Sequence, residues 1–173
     1  MNKPSEPSLS YIRAHAIVWR VTAVAWSLLI FDLSTATFSG SFTAWLLEGI
    51  LTILHVAVSP ATFDVLHVLL RKLAHITEYA ILSVLLYGTL KAACPFAWRP
   101  RRAMWCILAS ALYALTDEFH QIFVPGRTAS LIDCGFDTLG ACLGMVLVYV
   151  DSRFHGKYLS SSVPTVGARA RES

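Results

Sequence analysis

The side chains suited to acid–base or metal chemistry are concentrated in one segment of this sequence, residues 116–140, which reads TDEFHQIFVPGRTASLIDCGFDTLG. The segment contains a histidine, a glutamine, an arginine and four carboxylates, and the carboxylates belong to Asp117, Glu118, Asp133 and Asp137. Carboxylates and histidine are the usual proton-transfer groups of enzymes and are common metal ligands. The segment therefore raises acid–base or metal chemistry as the first hypothesis.

A second polar cluster, RKLAHITEYA, lies at residues 71–80. On a helix, Lys72, His75 and Tyr79 fall within one arc. Glu78 lies slightly to one side of that arc. The pattern predicts one polar helix face that carries a cation, an imidazole and a hydroxyl.

The two clusters together suggest a divalent cation. His75 and Glu78 stand in an i, i+3 relation, so both could reach one ion. Asp117 and Asp137, from other helices, could complete the ligand set. A divalent cation is therefore the one candidate cofactor, and the identity of the metal stays open.

The composition indicates where these polar residues must lie. The chain is 55% hydrophobic and 14% charged, with a mean hydropathy of +0.58, whereas a soluble domain has about 25% charged residues. These values predict an integral membrane protein whose surroundings are membrane lipids. The net charge of +3 is spread over small groups without a long basic run, which argues against nucleic acid as a partner.

The predicted fold is an all-α, polytopic membrane helix bundle with four transmembrane helices and an interfacial amphipathic helix between the first and the second. A helix needs about 20 apolar residues to cross the hydrocarbon, where unpaired backbone groups are costly. Four stretches qualify: Val18–Ala36, Leu73–Leu90, Ala103–Phe123 and Leu131–Val150. Residues 41–58 are long enough, but Glu48 and His55 share one face, which favours a helix lying in the interface.

The basic residues predict the orientation of the spans. With four spans, most of the 14 Lys and Arg residues lie on the cytoplasmic side, including the four in the loop KAACPFAWRPRR. A further span at residues 41–58 would move that loop outside, against the positive-inside tendency. The chain is thus divided into a cytoplasmic segment 1–17, a membrane domain 18–150 and a disordered cytoplasmic tail 151–173, with both termini in the cytoplasm.

This topology brings both polar clusters to the outer ends of their spans. An ionised residue deep in a membrane helix costs about 2.5 to 3.5 kcal/mol on insertion scales, so these acids must face one another or water. The acids outnumber the bases, and protonated carboxylates, charged histidines or a bound cation would balance them. On the last span, one helical face carries two acids and a GxxxG motif that favours close helix packing: Asp133, Asp137, Gly140 and Gly144.

The segment VPGRTAS, residues 124–130, predicts a compact turn between the last two spans. Pro125 and Gly126 end one helix, and Ser130 or Thr128 caps the next. Arg127 lies beside the positive end of that helix. Together they would anchor a phosphate or a carboxylate.

These residues resemble the VanZ-like family of small bacterial membrane proteins. The similarity lies in the polar cluster at 71–80 and in the string DExxQxFxPGRxxSxxD, here Asp117 to Asp133, and it extends from about Phe31 to Gly144. The resemblance implies a multi-pass protein of the bacterial cytoplasmic (inner) membrane. The founding member of the family is associated with low-level resistance to the glycopeptide teicoplanin. The family usually has asparagine where this chain has Asp137.

The first functional hypothesis is an intramembrane enzyme that opens to the outer leaflet and acts on a lipid or a lipid-linked wall precursor. His75 or Glu78 would be the general base, and Asp117 or Glu118 a second acid or a metal ligand. Lys72 and Arg127 would hold an anionic headgroup. The other side chains assigned to substrate contact are Tyr79, Gln121, Ser130, Asp133 and Asp137.

Two alternatives use the same residues without catalysis. One is a protein that binds the wall precursor or the glycopeptide itself. The other is a network of ion pairs that only orients the helices. Three further side chains are candidates for the rim of the pocket: Asp32 as a fourth wall, His120 through its helical phase, and Glu48 leaning over the opening.

Overall fold

The structure, a computed structural model, describes residues 9–35, 40–91, 98–124 and 130–161. These residues form five α-helices and no strand: α1 (Leu9–Leu33), α2 (Gly40–Ile53), α3 (Pro60–Lys91), α4 (Pro100–Gln121) and α5 (Leu131–Ser161). The all-α prediction is confirmed. Residues 1–8 and 162–173, which fall in the predicted terminal segments, lie outside the described residues.

Three of the described helices are long and apolar enough to cross a membrane: Arg13–Leu33, Pro60–Leu90 and Leu131–Phe154. Their outward faces are apolar, with side chains such as Val24, Val68 and Leu147 largely exposed, as expected for a surface in contact with lipid. The chain is therefore a helical membrane protein. The remaining predicted span, Ala103–Phe123, corresponds to α4, which has 22 residues but is less apolar because Asp117, Glu118 and His120 occupy its last turns.

Several helices extend beyond the predicted spans. α3 begins at Pro60 rather than Leu73, and the Ser59 Oγ accepts a hydrogen bond from the Thr62 backbone N–H at 3.2 Å, which is an N-cap followed by proline at the first helical position. α5 continues past Val150 to Ser161. A prediction from hydropathy places the limits of a span at charged residues, whereas the helix itself continues until its backbone is capped.

The second helix, α2, is shorter than predicted. It ends at Ile53 and not at residue 58, because His55 adopts a left-handed conformation with φ 55°. The His55 N–H donates to the Thr52 carbonyl at 3.1 Å and the Val56 N–H donates to the Leu51 carbonyl at 3.0 Å, which is the Schellman arrangement that closes a helix. With 14 residues and about 1.5 Å per residue, α2 is too short to cross the hydrocarbon.

Helix α3 lies at the centre and packs against the four other helices. It runs parallel to α5, since Lys72 meets Asp133 and, further along both helices, the Ser83 Oγ donates to the Ala141 carbonyl at 3.0 Å. It runs antiparallel to α1, since the Trp26 Nε1 donates to the Glu78 carbonyl at 2.9 Å and the earlier residue Trp19 lies against the later residue Gly88.

Helix α4 runs parallel to α1, and two contacts fix this direction. The Tyr113 hydroxyl donates to the Ser27 carbonyl at 2.6 Å, and nearer the ends of both helices Asp117 meets Ser34. α4 is therefore antiparallel to α3, so the four long helices alternate in direction along the chain.

The predicted close packing at the GxxxG motif brings α3 and α5 into backbone contact. A Cβ atom at Gly140 would overlap the Ile76 carbonyl oxygen, and one at Gly144 would overlap the Ala80 carbonyl oxygen and the Ser83 hydroxyl. Only glycine permits this approach, which places the polar side chains of α3 directly against those of α5.

Candidate functional site

The acids near the end of α4 are buried. Asp117 is 3% exposed. Its Oδ2 accepts hydrogen bonds from the Ser34 Oγ at 2.7 Å and from the Gln121 Nε2 at 3.0 Å, so the carboxylate ties the end of α1 to α4. Its Oδ1 is buried without a hydrogen-bond partner in the described part of the chain.

Glu118, beside it, links α4 to the start of α5. Its Oε2 accepts a hydrogen bond from the Ser130 backbone N–H at 2.7 Å. A carboxylate at that position is favourable because the N-terminus of a helix carries partial positive charge. The Ser130 Oγ in turn accepts from the Ile132 N–H at 3.2 Å, which confirms Ser130 as the cap of α5.

The contact between α3 and α5 begins with an ion pair. The Lys72 Nζ lies 2.6 Å from the Asp133 Oδ1 and 4.4 Å from the centroid of the Phe136 ring. The ammonium group thus has both an anionic and an aromatic partner. Because Lys72 is paired with Asp133, much of its charge is already compensated.

One turn further along, His75 lies next to Asp137. The His75 Nδ1 is 3.2 Å from the Asp137 Oδ1, an ion-pair distance, but the two atoms are not aligned as a hydrogen bond. Asp137 is 1% exposed, and among the described residues neither of its oxygens has a hydrogen-bond partner. This is a desolvated carboxylate whose neighbour is an imidazole.

Tyr79 follows His75 by one turn of α3 and is the innermost residue of the site. Its side chain is fully buried, and its hydroxyl has no hydrogen-bond partner within the ranges described. It lies within electrostatic range of Asp117 and Asp137, which come from two different helices. Glu78, half-buried, interacts electrostatically with both His75 and Tyr79.

The site thus contains two layers. In the outer layer the acids have partners, as Asp133 has Lys72 and Glu118 has the Ser130 N–H. In the inner layer, five buried polar atoms have no hydrogen-bond partner among the described residues: His75 Nδ1, Tyr79 OH, Asp117 Oδ1, Asp137 Oδ1 and Asp137 Oδ2. Leaving such an atom unpaired costs about 1–3 kcal/mol or more, so the inner layer is suited to accept hydrogen bonds from a polar group or to exchange a proton.

The described residues of the site contain no ligand cluster for the divalent cation that the sequence suggested. No three His, Cys, Asp or Glu side chains of the described residues are grouped so that they could hold a metal ion. Of the proposed ligands, His75 and Asp137 form a close pair, whereas the Asp117 Oδ2 is hydrogen-bonded to Ser34 and Gln121.

The structure brings together most of the residues proposed from the sequence. Arg127 and the rest of 125–129 lie outside the described residues. Of the three rim candidates, Asp32 and Glu48 are exposed, and the His120 ring packs against Phe31 with centroids 4.5 Å apart.

Sequence reasoning missed Ser34, which takes the position at the end of α1 that had been considered for Asp32. A single serine in the polar stretch DLSTATFSGS carries no distinguishing signal. The one available signal was helical phase, since a residue two positions after Asp32 lies on the opposite side of the helix.

A groove of about 440 Å³ lies away from these acids, at the opposite end of α4 and α5. It is lined by apolar and aromatic side chains such as Trp98, Met145 and Tyr149. The site above is therefore a packed polar interior between helices and is separate from this groove.

The chain was compared with models of known protein families. A family model described as VanZ/LLP1 matches residues 15–152, a range that contains the whole polar site. Searches of curated proteins and of solved structures each gave no significant match.

Proposed function

Because the chain belongs to the VanZ/LLP1 family and is a membrane protein, we propose that it binds the headgroup of a lipid or a lipid-linked cell-wall precursor in its polar interior. The inner layer of the site carries this proposal. Two buried carboxylates from separate helices and a tyrosine hydroxyl lie within electrostatic range of one another, and each has an oxygen without a hydrogen-bond partner among the described residues. Groups of this kind accept hydrogen bonds and favour a ligand rich in donors.

The balance of charge supports a donor-rich headgroup over a bare phosphate. Lys72 is paired with Asp133, while Asp117, Glu118 and Asp137 are all buried nearby. Hydroxyl, amide or ammonium groups would satisfy these acids, whereas an additional anion would be repelled. Sugar and peptide portions of a wall precursor have such donors.

We propose four membrane crossings, with both termini in the cytoplasm of a bacterial cell and α2 in the interface. The helix directions support this count, because α1 is antiparallel to α3. Consecutive spans are antiparallel, whereas a crossing by α2 between them would make α1 and α3 parallel. On this topology the acid-rich end of the bundle faces the outer leaflet.

Binding is tested with the purified protein in lipid nanodiscs and a fluorescent lipid-linked disaccharide-peptide precursor. Tyr79→Phe removes a hydroxyl that has no partner among the described residues, so it is expected to weaken binding while leaving stability intact. Asp137→Asn is expected to weaken binding about tenfold or more, on the scale of a charged hydrogen bond. Asp32→Asn, an exposed acid on α1, is the matched control.

The outcome distinguishes binding from the structural alternative. If Tyr79→Phe and Asp137→Asn bind the precursor as well as the unsubstituted protein does, the binding proposal is wrong. If the precursor never binds and both Asp117→Asn and Asp137→Asn unfold the protein, the acids serve only to orient the helices.

A second candidate function, acid–base catalysis on the bound headgroup, is favoured by the His75–Asp137 contact at 3.2 Å. An imidazole beside a desolvated carboxylate is an arrangement that transfers protons. His75→Gln is then expected to abolish conversion of a radiolabelled precursor or phospholipid while precursor binding persists. Equal turnover by the variant would exclude this role.

We also propose a link to resistance against glycopeptides of the teicoplanin type, supported by the family membership. Expression of the protein in a susceptible strain is expected to raise the inhibitory concentration of teicoplanin. Asp137→Asn, expressed at the same level, is expected to lose that increase. No increase with the unsubstituted protein would contradict the link.

A further inference from the structure

The apolar groove lies between α4 and α5 at the end of the bundle where α4 begins. On α4 its lining residues follow one helical face, including Pro100, Met104 and Leu108, and on α5 they include Cys142, Val146 and Tyr149. Met104 is roughly 20 Å along α4 from Asp117, at about 1.5 Å per residue. The groove is thus separate from the polar interior and has no part in the proposed headgroup site.

One end of the groove is formed by stacked aromatic rings. Trp98 stacks on Tyr87 with centroids 5.5 Å apart and meets Tyr149 edge-on at 5.4 Å. The Tyr87 hydroxyl accepts a hydrogen bond from the Arg99 backbone N–H at 3.0 Å. Tryptophan and tyrosine concentrate at the level of lipid headgroups, so this end of the groove lies at a membrane surface.

Three exposed arginines are close in the chain to the residues of the aromatic end. Arg99 lies between two lining residues, and Arg101 flanks the lining face of α4. Arg153 follows Tyr149 by one turn on the lining face of α5, and its Nε donates to the Tyr149 hydroxyl at 3.0 Å. Asp151, the acid nearest in sequence, lies on the opposite face of α5 by helical phase.

From this geometry we infer that the groove binds one anionic phospholipid, with an acyl chain between α4 and α5 and the phosphate among Arg99, Arg101 and Arg153. The apolar lining matches a hydrocarbon chain, and the basic rim is complementary to a negative headgroup. Basic pockets between membrane helices recognise anionic lipids in this way, and each basic residue near the surface adds about 1 kcal/mol of attraction.

The experiment compares two lipids by native mass spectrometry of the full-length protein in detergent. Phosphatidylglycerol and phosphatidylcholine with identical acyl chains are the probes. One molecule of phosphatidylglycerol is expected to remain bound in preference to phosphatidylcholine. Arg153→Gln and Arg99→Gln are each expected to weaken phosphatidylglycerol binding about fivefold.

Arg20→Gln is the control for charge. Arg20 is exposed on α1, which runs parallel to α4, so it belongs to the same half of the bundle but not to the groove. This substitution is expected to leave phosphatidylglycerol binding unchanged.

A second pair of variants tests the groove itself. Val146→Trp fills it from a lining position that is 55% exposed, and Leu147→Trp adds the same ring at a neighbouring position that is 64% exposed and outside the lining. Only Val146→Trp is expected to displace the lipid.

The inference is wrong if the two lipids bind equally, or if Arg153→Gln and Arg20→Gln have the same effect. It is also wrong if the groove is the interface of a dimer, which would appear as a mass of two chains that Val146→Trp reduces to one. The arginine variants lie on the surface, so they decide the question even if Val146→Trp does not fold. Loss of precursor binding at the polar interior would leave all of these results unaffected.

Discussion

At the scale of single residues, Asp117 shows how a buried acid is accommodated between helices. One of its oxygens accepts two hydrogen bonds, from Ser34 and Gln121, and the other accepts none among the described residues. The Oδ2 atom therefore contributes to folding, and the Oδ1 atom can accept a hydrogen bond from a ligand or bind a proton.

Ser34→Ala is expected to lower the free energy of unfolding by about 1.5–3 kcal/mol, because a buried carboxylate oxygen loses a donor. The measurement is SDS-induced unfolding in mixed micelles, followed by tryptophan fluorescence. Thr35→Ala is the control, since that hydroxyl donates to the Asp32 carbonyl at 2.6 Å within its own turn. Equal losses for the two variants would mean that the bond between Ser34 and Asp117 adds no stability.

The pair formed by Lys72 and Asp133 is expected to show a coupling energy of about 1 kcal/mol in a double-mutant cycle of Lys72→Met and Asp133→Asn. Both side chains keep some exposure, so solvent screens part of their attraction. The same unfolding assay measures the cycle. Arg71→Met, the neighbouring cation, replaces Lys72→Met in the control cycle, and a coupling as large there would argue against a specific pair.

The polar residues of the site could be predicted from the sequence, because an acid or a histidine inside an apolar span must face other helices or water and not lipid. Tyr79, His75 and Lys72 share one arc of α3. The structure places Lys72 and His75 against α5 and buries Tyr79 in a cluster with residues of α1, α4 and α5. Ser34 could not be predicted, since a lone hydroxyl at a helix end is compatible with many positions. Its role depends on how α1 crosses α4, which local patterns do not encode.

At the scale of elements, the contact of α3 with α5 determines the geometry of the site. The glycines of α5 let the two backbones touch. As a consequence His75, which precedes Ile76 on α3, meets Asp137, which lies about one turn before Gly140 on α5. The GxxxG spacing predicted close packing on this face of α5, but not that α3 is the helix packed against it. The apolar pattern of the sequence did not predict that α3 begins at Pro60. Asp64, Arg71 and Lys72 interrupt that pattern, although the helix continues through them.

Gly140→Ala tests this contact. The added methyl group would overlap the Ile76 carbonyl oxygen, and the substitution is expected to destabilise the protein by about 1–3 kcal/mol. It should also weaken precursor binding, because the helices must separate. Gly135→Ala is a control on the same helix, with no atom within 4 Å of its added Cβ.

For that control, unfolding in mixed micelles is expected to show no loss, or a gain of up to about 1 kcal/mol from the better helix propensity of alanine. If Gly140→Ala is as stable as Gly135→Ala, the two backbones are not in close contact and the register of α3 on α5 must differ.

At the scale of the whole molecule, the directions of the helices connect the two proposed sites. α1 and α4 run one way, and α3 and α5 run the other. Consequently Lys72, Asp117 and Asp133 gather at one end of the bundle, and Trp98, Arg99 and Tyr149 gather at the other. A donor-rich headgroup site and an anionic-lipid site at opposite ends would then face opposite leaflets.

The number of crossings was the hardest feature to predict from hydropathy. α4 carries two acids and a histidine in its last turns, so its sequence is less apolar than a typical span, while residues 41–58 have the length of a span and carry only a few polar groups. What distinguishes them is a local helix cap in one case and burial between helices in the other. α2 is closed after Ile53 by the backbone of His55 and Val56, and α4 hides Asp117 and Glu118 inside the bundle.

Reporter fusions test the four-crossing topology. A fluorescent protein fused after Lys91 is expected to be fluorescent, because that loop would be cytoplasmic and carries four basic residues. Alkaline phosphatase fused within residues 59–66 is expected to be active, because on this topology the start of α3 lies on the outer side of the membrane. If both fusions report the same side, α3 does not cross the membrane. If both report the reverse, the acid-rich end of the bundle faces the cytoplasm, and the headgroup bound there must belong to the inner leaflet.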